Sequence, residues 1–182
     1  MAGRRRVAGP RRVTDRRRGR EAEFVAFATA RTPMLFRLAL LLTGEWYAAE
    51  DLVQDTLATV YRRWDRVAAA ANPAAYARAT LVNTHLSGRR RRSSTERPVS
   101  EPDAGVSHDP DPALRATLLA ALAGLETADR AVVVLRFWED LDVAATAELV
   151  GSTPTAVRAR CHRALGRLRD LLGEDLHELR TD

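Results

Sequence analysis

The chain has 182 residues, a net charge of +5 and 46% hydrophobic against 5% aromatic residues, which bounds it to one or two small domains with Ala-rich, helical cores. All 29 basic residues are arginine and neither lysine nor isoleucine occurs, a pattern of GC-rich coding, so only part of the arginine excess argues for a polyanionic partner. The single cysteine, Cys161, excludes an internal disulfide and fits a reducing cytoplasm, and no apolar run approaches membrane-spanning length, so no membrane insertion is expected.

Residues 1–20 hold nine arginines and one acid, with almost nothing apolar, and should be disordered. They form either a basic arm that adds salt-sensitive affinity for nucleic acid or a plain solvated tail. The arginine pairs precede no hydrophobic segment, so no export signal is expected. Glu23 to Leu42 reads as helix, with Phe24, Phe27, Leu35, Leu38 and Leu42 inward and Pro33 dividing it. Thr43-Gly44 is a turn. Ala48 to Arg66 is the next helix, with Val53, Leu57, Val60 or Tyr61, and Trp64 as its apolar stripe. Asp51, Gln54, Asp55, Ala58 and Arg62 lie opposite. That strip is either solvated surface or a docking face for a basic partner helix, and periodicity does not choose between them.

Val67 to Ala71 is a short loop, and Asn72-Pro73 caps a helix running to about Arg90. Ala75, Ala79, Val82 and Leu86 form its inner face; Tyr76, Thr80, Asn83, Ser87 and Arg91 form the other. A ring that can stack, an amide that can bond base edges and four arginines from Arg89 to Arg92 suit nucleic acid. The plain alternative is a helix that ends in a basic linker. Residues 93–111 carry three prolines and five acids and mark a domain boundary.

Asp111-Pro112 caps a helix to about Gly124, with Leu114, Leu118, Leu122 and Leu125 inward. Thr127 caps another, from Ala128 to about Glu139, with Val132, Leu135 and Trp138 inward. Leu141 to Leu168 then reads as a helix-turn-helix. Asp142 caps Val143 to Val150, Gly151 makes the turn, and Thr153-Pro154 opens the second helix. On that helix Val157, Cys161, Leu165 and Leu168 face inward, which leaves Thr155, Arg158, Arg160 and Arg163 outward, near the end that enters a DNA major groove. The plain alternative is a helical hairpin with a solvated basic face. After Leu172 the tail turns acidic and should fray. The chain lacks a Gly-rich phosphate loop, HExxH, a cysteine pair and a spaced Ser/His/Asp set. It is therefore expected to be no enzyme, with no catalytic residue, metal or cofactor.

The segments AAEDLVQDTLATVYRRW, NPAAYARATLVNTHLSGRRRR and LRFWEDLDVAATAELVGSTPTAVRARCHRALGRLR occur in the order and at the separation found in a known family. From about Phe24 to Leu172 the chain resembles the small extracytoplasmic-function sigma factors of bacterial RNA polymerase, nearest to the SigE-like group of actinobacteria. The resemblance implies an all-α protein of two small helical domains joined by a flexible acidic linker. Residues 21–92 would be a region 2-like domain, 93–111 the linker, 112–173 a region 4-like helix-turn-helix domain and 174–182 an acidic tail.

It implies that Asp51, Leu52, Gln54 and Asp55 grip the clamp helices of the polymerase's largest subunit, with the flap as a further contact. It implies that Asn72, Tyr76, Thr80, Asn83 and Arg90 read and help open the minus-10 element, where a base must leave the stack at a cost of a few kcal/mol. It implies that Thr153, Thr155, Arg158 and Arg160 read the minus-35 element, with Arg163 on phosphates. An anti-sigma factor is a further partner that many relatives have. Where the family commonly has Gly-Thr-Val-Lys-Ser-Arg, this chain has Thr155 to Arg160 as TAVRAR, and the usual Glu-Thr-Ala is Ala145-Thr146-Ala147. The promoter sequence therefore does not carry over. The rival expectation is a stand-alone helix-turn-helix regulator, which would leave the first domain without a task and needs a dimerisation surface.

Overall fold

The computed structural model describes the backbone of residues 10–92 and 112–178, and side chains within 17–88 and 113–173. Among the described residues the secondary structure is helical, without strands. A first bundle is made by α1 (Pro10–Thr43), α2 (Trp46–Arg62), the short α3 (Trp64–Ala68) and α4 (Pro73–Arg92). A second is made by α5 (Pro112–Ala123), α6 (Thr127–Val133), α7 (Val143–Val150) and α8 (Pro154–Glu178).

Several expectations need correction. The first helix begins at Pro10, so residues 10–20 are helical backbone where disorder was expected. Arg20 is fixed by its Nε 2.9 Å from the Asp65 carboxylate and by its Nη2 donating to the Tyr61 carbonyl at 2.9 Å. Pro33 does not divide α1. It is exposed, so the carbonyl it leaves unpaired one turn earlier stays on the wet side, where the loss is small. The stretch Arg17–Thr43 is also long and apolar enough by composition to cross a membrane, contrary to expectation. Its apolar residues Leu35, Leu38, Ala39 and Leu42 are buried in the bundle core instead. Phe24 and Phe27 pack on Trp64 with ring centroids 5.4 and 5.0 Å away.

The expected helix from Ala48 to Arg66 is two helices, broken at Arg63 (φ −114°, ψ 19°). On α4 the buried side chains are Ala77, Leu81, Val82 and His85, not the stripe Ala75, Ala79, Val82 and Leu86. The reason is that α4 is covered on two sides, by α1 and α2 and by α6 and α7. Leu122 on α5 and Leu125 just after it are buried as expected, but Leu114 and Leu118 are exposed. Thr127 is the first residue of α6 and not its cap; Glu126 holds that position without a side-chain bond.

The end of α6 winds into a π turn, Val134–Trp138, closed by the Glu139 N–H donating to the Val134 carbonyl at 3.2 Å. The wider turn breaks the spacing of three and four. Val132 and Leu135 stay buried, Trp138 swings out to 55% exposure, and Glu139 turns in. On α8 the inward residues are Val157, Ala164 and Leu168, with Cys161 half-buried; Leu165 is exposed, contrary to expectation.

One hydrophobic core runs through both bundles, joining Leu38 and Leu81 to Leu125, Leu135 and Ala164. Polar contacts also tie them. Arg130, 4% exposed, donates through Nη1 to the Leu42 and Thr43 carbonyls (both 3.1 Å) and through Nη2 to the Ala123 carbonyl (2.7 Å). One guanidinium thus satisfies the C-terminal carbonyls of α1 and α5, where the helix dipoles favour a cation. The second tie is Arg78 to Glu139, 2.8 Å.

Candidate nucleic-acid interface

The polar strip of α2 forms as its spacing requires: Asp51, Gln54, Asp55, Ala58 and Arg62 are all exposed. Leu52 does not belong with them. It is 7% exposed and part of the core, so it lies beneath the strip and supports it. The neighbours of Asp51 three and four positions on share its face; the residue next to it does not.

Between α2 and α4 runs an open groove of about 560 Å³. Asp55 and Thr59 line it from α2, Arg63 from the break after α2, and Tyr76, Thr80 and Asn83 from α4. The structure therefore brings Tyr76, Thr80 and Asn83 together as expected and adds Asp55, which the sequence assigns to the neighbouring strip. Arg63 was not singled out from sequence. Its Nη1 donates to the Tyr76 hydroxyl at 3.2 Å, a bond that fixes the ring and pushes the Arg63 pKa above its ordinary value. The signal was hidden because Arg63 and Tyr76 lie on different helices. Thr80 donates its hydroxyl to the Tyr76 carbonyl at 2.9 Å, so its oxygen keeps only acceptor capacity towards the groove. Asn72 is exposed and accepts from the Ala75 N–H at 2.9 Å, capping α4; its amide donors remain for a ligand. Arg90 lies outside the described side chains.

The helix-turn-helix is built from local chemistry. The Asp142 carboxylate accepts from the Ala145 N–H at 2.7 Å and caps α7. Gly151 takes φ +65°, and the Ser152 N–H returns to the Ala147 carbonyl at 2.8 Å. The Thr153 hydroxyl accepts from the Ala156 N–H at 3.2 Å and caps α8, so Thr153 is committed to the helix end. Thr155 and Arg158 are exposed on the first turns of α8. His162, also exposed, continues their face at a spacing of three and seven, and no motif in the sequence marks it.

Arg160 departs from the outward placement expected of it, whereas Arg163 keeps it. Arg160 is turned back, its Nη1 2.9 Å from the Asp129 carboxylate on α6. Arg163 is 60% exposed and its Nη2 stands 3.7 Å from the same carboxylate. Cys161, between them, is half-buried, and burial pushes its thiol pKa up while the nearby Arg136 partly offsets this.

Residues 27–95 match the family described as sigma-70 region 2, and residues 115–168 match sigma-70, region 4. The RNA polymerase sigma-E factor of Streptomyces avermitilis is 36% identical over 156 residues, covering 85% of this chain and 87% of that protein. The ECF RNA polymerase sigma factor SigL of Mycobacterium tuberculosis is 32% identical over 149 residues, covering 78% and 84%. The chain belongs to the extracytoplasmic-function sigma factors. In this sigma factor the α2–α4 groove falls within region 2, and α7 with α8 as far as Leu168 within region 4. Its all-α fold is shared with the sigma factor RpoE, solved in complex with the anti-sigma factor NepR from Bartonella quintana, at 25% identity and a TM-score of 0.63 over 83% of this chain and 97% of that one.

Proposed function

We propose that this sigma factor binds core RNA polymerase and directs it to promoters with a minus-10 and a minus-35 element. Residues 21–92 and 112–173 are the two working units of that reading, joined by residues 93–111. The observation that carries it is the pairing of two exposed polar faces on one chain, the α2–α4 groove and the outer face of α8, each inside the matching sigma region. Asp51, Gln54 and Asp55 supply acid and amide groups for the basic clamp helices of the largest subunit. Tyr76, Thr80 and Asn83, with Arg63 behind the ring, receive an unstacked minus-10 base. Thr155, Arg158 and His162 face minus-35 base edges, and Arg163 a phosphate. Region 4 meets the polymerase flap.

In this reading the chain performs no bond chemistry itself and acts in the cytoplasm with the polymerase. An anti-sigma factor is a further partner, supported by the similarity to RpoE as seen with NepR.

The test is reconstitution. The purified chain, mixed with bacterial core polymerase and a genomic promoter pool, should produce transcript starts that share a two-part upstream motif and are absent with core alone. No polymerase binding, with tight binding to a palindromic site instead, would replace this reading with a stand-alone regulator. Changing Asp51 and Asp55 together to Arg should abolish polymerase binding while the helix-turn-helix stays folded.

A further inference from the structure

Among the described residues, Asp129 touches two of the arginines expected on DNA. Its side chain is 12% exposed, on α6, and its Oδ1 stands 2.9 Å from Arg160 and 3.7 Å from Arg163, one helical turn apart on α8. A carboxylate and a phosphate offer a guanidinium the same chemistry, charge-assisted acceptance of N–H donors. The carboxylate is held in place by α6, so it competes with DNA phosphates for these two arginines at all times.

We propose that Asp129 is a positioning and specificity-determining residue: it withholds Arg160 from DNA and restrains Arg163, so that α8 approaches DNA with Thr155, Arg158 and His162 foremost. The inference rests on the sigma-factor reading of α8. Phosphate contacts add affinity on every sequence, while base contacts discriminate. Removing one free cation from the DNA side lowers the affinity for all sequences alike and leaves the base-reading difference intact. The same pair ties α8 to α6 and so sets the angle at which the base-reading face is presented.

The test compares holoenzyme reconstituted with the wild-type chain and with Asp129→Asn, binding a promoter and the same fragment with its minus-35 element scrambled, over a range of salt. Asp129→Asn is close in size and loses only the charge. It should raise affinity for the scrambled fragment about threefold or more at low salt. It should also steepen the dependence of log affinity on log salt by about one, the effect of one added phosphate contact. The added phosphate contact alone leaves the preference for the intact minus-35 element unchanged; that preference should shrink only because the tie from α6 no longer sets the angle of the base-reading face, and Asp129→Glu, which keeps the tie, should restore it.

Arg160→Gln in the wild-type background should leave the slope unchanged. Combined with Asp129→Asn it should cancel the added slope. An unchanged slope and preference in Asp129→Asn would overturn the proposal, as would a uniform loss of affinity without a slope change, which marks a purely structural role. A slope flattened by Arg160→Gln alone would also overturn it, because Arg160 would then already lie on a phosphate. A wild-type holoenzyme that shows no preference between the two fragments would instead remove the sigma-factor reading itself.

Discussion

Arg158 and Arg160 stand two positions apart on α8, and the structure places their side chains differently. Arg158 is exposed beside Thr155; Arg160 is held by Asp129. Arg158→Ala should therefore cost about 1–3 kcal/mol on the preferred minus-35 sequence and less on altered ones, read by binding of matched and mutated duplexes; an equal loss on all of them would make it a phosphate contact. Leu52 and Asp51 divide in the same way. Leu52→Ala should lower thermal stability by about 2–5 kcal/mol, as for other buried leucines, and leave the polymerase affinity of the folded protein unchanged. Cys161 titrates above its ordinary value because burial disfavours the thiolate. At a fixed pH near neutrality less thiolate is present, so alkylation should be slower than for a free cysteine, with the rate rising at a higher pH; a rate profile centred at the ordinary cysteine value would contradict this. The sequence shows the face of Asp51, Gln54 and Asp55 because it lies within one helix. It does not show the partner of Arg160, which lies 31 positions upstream on another helix.

The elements that sequence predicts best are those whose ends are decided locally. The helix-turn-helix has its caps, its glycine and its proline within a few residues of one another, and the structure uses each of them. Gly151→Ala should cost about 1–2 kcal/mol, because φ is +65° there and a Cβ is strained in that conformation whatever space surrounds it. Asp142→Ala should cost about 1 kcal/mol through loss of the α7 cap. Denaturant melts of the full chain measure both. The elements predicted worst are those shaped by distant partners. The π turn at Val134–Trp138 has no local signal, and it reverses the fates of Trp138 and Glu139. On α4 a helix pattern that assumes one buried face fails because two bundles cover it.

The packing of the two bundles on each other is in tension with a two-part promoter. A compact chain of this length has a radius of gyration of about 16 Å. Elements named minus-35 and minus-10 lie roughly 25 base pairs apart, about 85 Å at 3.4 Å per step, so the packed form cannot place both faces on their elements. The 19 residues from 93 to 111 could span at most about 65 Å, enough to let the domains part widely when the interface between them opens. The ion pair between Arg78 and Glu139 is a point where that interface can be broken, because the Glu139 side chain is only 9% exposed and faces the other bundle. Glu139→Arg would set two guanidinium groups against each other there. Breaking such a pair costs about 3 kcal/mol or more, a shift of roughly a hundredfold between packed and parted forms. Small-angle scattering of the free chain should then show a clearly larger radius of gyration for Glu139→Arg at unchanged helical content, and the swap Arg78→Glu with Glu139→Arg should bring it back. A variant that stays as compact as the wild type would mean that the shared core around Leu38, Leu81, Leu125 and Leu135 holds the bundles together without the pair. Opening would then have to be driven by the polymerase.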